Sequence, residues 1–151
     1  MKRLILAAFA LATLTSGCAT AQLDTPTGFA AHDDDPVYDF RASDGEGVVL
    51  AVRTEKNDPK GDLAYWTAAL DVQLRKAGYE ALEAQDVTSA DGHGGKQIRY
   101  VINVDGRDLV FWLSVFVTKR DVVLVEAGGD AEFFGPKVTD VEAAIGSLRV
   151  G

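Results

Sequence analysis

The sequence predicts an α+β fold, an antiparallel sheet of about six strands packed with two helices into a sandwich. Two observations carry that reading. From residue 37 to residue 127 short runs alternate in hydropathy at a period of two, broken by glycine- and aspartate-rich turns. Two stretches break the alternation with apolar spacings of three and four, one at 62–77 and one ending the chain. The order is strand, strand, helix, three or four strands, helix, which suits antiparallel neighbours better than alternating βαβ units.

The chain opens with a different element. Met1-Lys2-Arg3 is a short positive start, and Leu4 to Leu14 is apolar or small apart from Thr13. That run is far below the roughly twenty residues a membrane-spanning helix needs. It also lacks the polar face of a buried amphipathic helix. Residues 1–17 therefore read as a secretory signal peptide. The segment Leu14-Thr15-Ser16-Gly17-Cys18 resembles the lipobox of bacterial lipoproteins, with Thr15 in place of the usual leucine. The resemblance implies cleavage between Gly17 and Cys18, a diacylglyceryl group on the Cys18 thiol and acylation of the new amino terminus. Such lipid chains anchor stably once two or more are present. Ala19 after the cysteine implies sorting to the outer membrane. A competing site exists at Ala19-Thr20-Ala21, whose small-x-small pattern would release a soluble protein beginning at Gln22.

Residues 18–36 read as the lipidated N-terminus and a flexible tether, since Pro26, Gly28 and Asp33-Asp34-Asp35-Pro36 show no period and little bulk. A single domain is expected over 37–151. Val37 to Ala42 reads as a strand, Ser43 to Gly47 as a turn, and Val48 to Thr54 as an alternating strand. Asp62 is a helix cap for a stripe of Leu63, Trp66, Leu70, Leu74 and Ala77, closed by Arg75, Lys76 and Gly78. Tyr79 to Val87 is a weaker strand, and Ala90 to Gly95 a loop tip. Ile98 to Val104 alternates, and Asp105-Gly106 signals a two-residue hairpin. Leu109 to Val117 is apolar on both sides, so that strand should be central and covered twice. Val122 to Ala127 follows, with Gly128-Gly129 expected to end it. A short helix through Val138, Val141, Ile145 and Leu148, opened by Pro136, closes the chain.

Composition narrows the partners. The chain carries 15 basic and 23 acidic residues, a formal charge of −8. Loss of the leader removes Lys2 and Arg3 and deepens that to about −10. Such a surface repels phosphate backbones and anionic lipid headgroups, so nucleic acid is a poor partner and none is expected. With one cysteine, no internal disulfide can form.

Over residues 37 to 149 the pattern resembles the PsbP-like superfamily, including the bacterial DcrB-like lipoproteins. The resemblance rests on the early hairpin and on the helix carrying Trp66 and Leu70 ahead of Lys76-Ala77-Gly78-Tyr79. The Asp91-Gly92 loop, the stretch Arg107 to Ala127 and the closing Ile145-Gly146-Ser147-Leu148 complete it. It implies a non-enzymatic accessory or binding module for another envelope component, held to the membrane by lipid.

No catalytic signature competes strongly with that expectation. His93 and Asp91 share a glycine-rich loop, but structural metal sites usually take four ligands and no third lies near. Asp33-Asp34-Asp35 lacks the spacing and glycine of a calcium loop. Gly45-x-Gly47 and Gly92-x-Gly94-Gly95 do not open helices, so they are not phosphate cradles. Ser147 follows a glycine inside a helical stripe, and the other histidine, His32, sits in the tether. No cofactor or metal is expected. Trp66, Trp112, Phe111 and Phe116 either line a pocket or belong to the core. Phe133-Phe134, adjacent aromatics in an expected loop, are candidate partner contacts, one packing under the sheet and the other facing outward. An immunity or inhibitor lipoprotein against a basic toxin or hydrolase is the alternative, and a metal-dependent periplasmic enzyme is weaker still.

Overall fold

The computed structural model describes residues 20–151, so the leader, Gly17 and Cys18 lie outside the described residues. Seven strands make one sheet: β1 (Ala30–Ala31), β2 (Phe40–Ser43), β3 (Val49–Lys56), β4 (Glu80–Thr88), β5 (Gly94–Val104), β6 (Arg107–Val117) and β7 (Asp121–Asp130). Their spatial order is β1-β2-β3-β7-β6-β5-β4. Every neighbouring pair is antiparallel. Helix α1 (Leu63–Lys76) carries the chain from β3 to the far edge strand β4. After β7 come α2 (Ala131–Phe134), a 3-10 turn over Gly135–Lys137, and α3 (Val138–Gly146).

The apolar-on-both-sides strand explains the layering. Leu113 and Val115 of β6 and Val122 and Leu124 of β7 face α1, where Leu63, Trp66, Leu70 and Leu74 pack on them. Trp112 and Phe116 of β6 and Val123 and Val125 of β7 face the other way, against Phe134, Val141, Ile145 and Leu148. Neither face of such strands can be left to water, so helices are required on both. Within the second layer the buried Gln97 amide donates to Ser114 Oγ at 3.0 Å. Arg99 lies 3.7 Å over the Trp112 ring and reaches Glu142 on α3 at 2.7 Å.

Local signals behave as their chemistry demands. Asp62 caps α1 by accepting from the Tyr65 N–H at 2.8 Å. Asp105 and Gly106 take φ of 53° and 81°, the left-handed pair of a tight hairpin turn.

The expected boundaries need four corrections. The domain begins well before residue 37: Ala21 and Leu23 are buried in the core, Gln22 bridges Arg149, and Ala30–Ala31 pair with β2. These isolated small apolar residues lack a period, so the expected 18–36 tether hid a seventh strand and part of the core. The second strand starts at Phe40, because Asp35 accepts from the Val37 and Tyr38 N–H groups and turns the chain there. Gly128-Gly129 does not end β7, which runs on to Asp130. A Cβ on Gly128 would lie 2.8 Å from the Val110 carbonyl oxygen, so glycine here answers close backbone approach inside the strand. Phe133-Phe134 belongs to helix α2, capped by Asp130, and not to a loop.

Gly95 tests the packing. A Cβ there would stand 2.6 Å from two Phe116 ring atoms and 2.7 Å from the Val115 carbonyl oxygen. Phe116 is fully buried and has nowhere to retreat. Gly95→Ala should therefore cost about 1–3 kcal/mol by overpacking, read as a lowered urea midpoint at unchanged slope.

Candidate functional site: an open corner of the sheet

On the α1 face the helix packs over β5, β6 and the first half of β7. The corner beyond it, over β2, β3 and the end of β7, is a groove of about 330 Å³. One row of register builds its floor: Val49 of β3 opposite Gly128 of β7, and Gly128 opposite Phe111 of β6. Without a side chain at Gly128 the floor drops between Val49 and Phe111. Ala51, one step along β3, continues it with little bulk.

Aromatic rings wall both sides. Tyr79 lies 5.6 Å from Phe111 and 6.3 Å from Tyr100, a cluster that closes the end of α1 onto the sheet. Burial, reinforced by the Asp71 carboxylate that accepts from its hydroxyl at 2.8 Å, pushes the Tyr100 phenol well above its ordinary value. The Tyr100 hydroxyl is therefore held in its neutral, donating form. Across the groove stands Tyr38, with the Arg41 guanidinium 5.9 Å from its ring centroid.

The charges at the groove are matched internally. Arg41 lies 3.5 Å from Asp35, and Arg53 reaches Glu126 at 3.1 Å and Glu55 at 3.2 Å. Backbone N–H groups of Val37 and Tyr38, with Arg41, hold the Asp35 carboxyl below its usual range. A groove so balanced suits an apolar or neutral polar guest with hydrogen-bonding edges more than a bare ion.

The residues singled out from sequence fall elsewhere. Phe111 is a groove wall, whereas Trp112 and Phe116 are core and Trp66 packs beneath α1. Phe134 is buried, 5.0 Å edge-on from Trp112, so it leaves the set of candidate partner contacts. Its neighbour Phe133 is 37% exposed. His32 Nε2 meets Ser43 Oγ at 2.6 Å. Ser147 Oγ donates to the Ala144 carbonyl at 2.6 Å and accepts from the Asp24 N–H, a helix-end arrangement without a base. Asp44, at the glycine turn, binds Lys137 at 2.5 Å and fastens the β2–β3 turn to the helical layer.

Asp91 and His93 do come together, with Oδ1 and Nδ1 3.2 Å apart. Their setting is that of a clasp. Asp91 also accepts from Ser89 Oγ at 2.6 Å, from the Val150 N–H at 3.0 Å and from the Gly151 N–H at 3.1 Å. Burial works to raise its pKa, but these donors outweigh it and hold the carboxyl far below the usual carboxylate range. Among the described residues no group of three or more His, Cys, Asp or Glu is placed to hold a metal ion.

The fold is α+β, of PsbP-like architecture. Among solved structures the chain is similar to cyanobacterial PsbP from Synechocystis, with a TM-score of 0.60 and 15% identity over 91% of this chain and 96% of that one. It is also similar to LpqN, involved in cell envelope biogenesis of Mycobacterium tuberculosis, with a TM-score of 0.68 and 12% identity over 85% of this chain and 83% of that one. PA94 of Pseudomonas aeruginosa, a protein of unknown function, gives a TM-score of 0.60 at 11% identity over 87% and 97%. At these identities the likeness is one of fold. No family model and no curated protein matches the sequence. No helix among the described residues is long and apolar enough to cross a membrane.

The clasp predicts a pH signature. The folded Asp91 carboxyl sits below its unfolded value of about 3.9, so its contribution is complete above that pH and drains as the pH falls through and below it. Asp91→Asn should cost about 1–2 kcal/mol at neutral pH. The gap from the parent should narrow as urea melts are repeated below about pH 4.

Proposed function

We propose that this chain is a non-enzymatic lipoprotein of the bacterial envelope, anchored through Cys18, that uses the open corner of its sheet to bind another envelope component. One observation carries the reading: a shaped, aromatic-walled groove beyond the part of the sheet that α1 covers, with its charges already paired. Such a surface supplies contact area and orientation without a poised nucleophile or base. Neither histidine lines the groove: His32 lies against Ser43, and His93 against Asp91 in the clasp. The leader and the Ser16-Gly17-Cys18 segment supply the envelope address and the lipid site, with the periplasmic face of the outer membrane the expected leaflet. The fold shared with LpqN, itself involved in envelope biogenesis, is consistent with an accessory role of that kind.

Cross-linking in host membranes, followed by mass spectrometry of the N-terminal peptide and of bound proteins, tests both halves. The expected result is a lipid-modified Cys18 and one enriched envelope protein. Val49→Trp, which fills the groove floor from a half-exposed position, should abolish the enrichment while leaving the thermal midpoint within a few degrees. An unmodified chain beginning at Gln22 removes the anchor. Enrichment indifferent to Val49→Trp removes the groove.

A further inference from the structure

The anchor and the fold together set an orientation. If lipid is attached at Cys18, as the reading above holds, three residues separate it from Gln22, and Gln22 is already part of the domain. Its N–H donates to the Arg149 carbonyl at 3.0 Å, and the Arg149 N–H donates back at 2.8 Å. Ala21 and Leu23 on either side are buried, and the Asp24 N–H is held by Ser147. The four steps from Cys18 to Gln22 span at most ~14 Å fully extended. The domain therefore has no long stalk on which to swing.

The end of the molecule where this bridge lies is well defined. Ala90 N–H donates to the Leu148 carbonyl at 2.7 Å, which sets the Ser89–His93 turn beside the bridge. The register then places two more turns at that end. Gly95 pairs with Phe116, Val117 with Val122, and Asp121 with Lys56, so the turns after Val117 and Lys56 lie next to the Ser89–His93 turn. The Asn57 side chain ties them together by donating to the Thr118 carbonyl at 2.9 Å and the Gly61 carbonyl at 3.0 Å.

The chemistry of this end differs from the rest of the chain. Lys56, Lys60, Lys119, Arg120 and Arg149 stand there. They balance Asp24 beside the bridge and Asp58, Asp62, Asp91 and Asp121 of the loops, so this end is close to neutral and the acid excess behind the net charge of −8 lies mostly elsewhere. Tyr65, in the first turn of α1, is 49% exposed at this end, an amphipathic ring of the type that settles at headgroup level.

We infer that the end formed by the 57–62, 89–93 and 118–120 turns and the Gln22–Arg149 bridge is a membrane-facing surface, seated on the headgroups of the bilayer that holds the Cys18 lipid. Lys60 and Lys119 meet phosphates, and the acidic remainder points away from the lipid. The groove, built from the opposite ends of β3, β6 and β7, then lies toward the membrane-distal end, where a partner in the envelope can reach it.

The chain's one cysteine makes the test specific. The mature chain from Cys18, which contains every described residue, is coupled through that thiol to phosphatidylcholine–phosphatidylglycerol vesicles bearing a maleimide lipid. Lysines are then acetylated briefly and read by mass spectrometry, against the same protein with Cys18 capped by N-ethylmaleimide and mixed with the same vesicles. The expected result is a several-fold drop in labelling at Lys60 and Lys119 on coupling, with Lys76, at the other end of α1, unchanged. Equal labelling at all three, or protection at Lys76 instead, overturns the orientation. Because the coupling is chemical, the outcome does not depend on lipidation in the host, which the N-terminal mass decides separately.

Discussion

The structure depends on one constraint: β6 and β7 are apolar on both faces. A strand pair of that kind cannot lie at a surface, and it forces a helix onto each side of the sheet. The chain supplies α1 before the four-stranded meander and α3 after it, and each lands on the face that needs it. The order of the strands follows from the same demand. β7 returns to pair with β3, which brings the early hairpin beside the meander and places the most apolar strands in the middle.

That arrangement also leaves the groove. A helix of fourteen residues covers part of a seven-stranded sheet, and α1 is committed to β5, β6 and the first half of β7. The far corner is protected by other means. Gly128 removes a side chain, Val49 and Ala51 present small apolar surface, and Arg53 with Glu126 closes the edge as an ion pair. The same face is thus core under the helix and open groove beyond it, with Phe111 and Tyr79 shared between the two.

Much of this was legible in the residues. The α1 stripe with its Asp62 cap, the Asp105-Gly106 turn and the doubly apolar 109–117 strand each carry a local signal strong enough to survive tertiary context. The expected fold class follows from their order. What the sequence hid was non-local. Ala21 and Leu23 join the core through a single bridge to Arg149, which no local pattern announces. Gly128-Gly129 reads as a breaker because its reason, the approach of the Val110 carbonyl on the neighbouring strand, is visible only once the strands are paired. The groove is hidden for the same cause: its floor and walls come from segments between Tyr38 and Gly129, and only Phe111 among them was a candidate pocket residue beforehand. The Asp91–His93 pair was seen as a pair, but its role as a clasp for Val150 and Gly151 needed the position of the C-terminus.

The central claim is that the open corner is where this protein meets its partner. Amide chemical-shift mapping tests it most directly, with isotope-labelled protein titrated with a detergent-solubilised envelope fraction from the host. The account predicts shifts or broadening concentrated at Val49, Ala51, Glu126 and Gly128, with the outer residues of α3 unchanged. Perturbations confined to α3, or spread evenly over the surface, would contradict it.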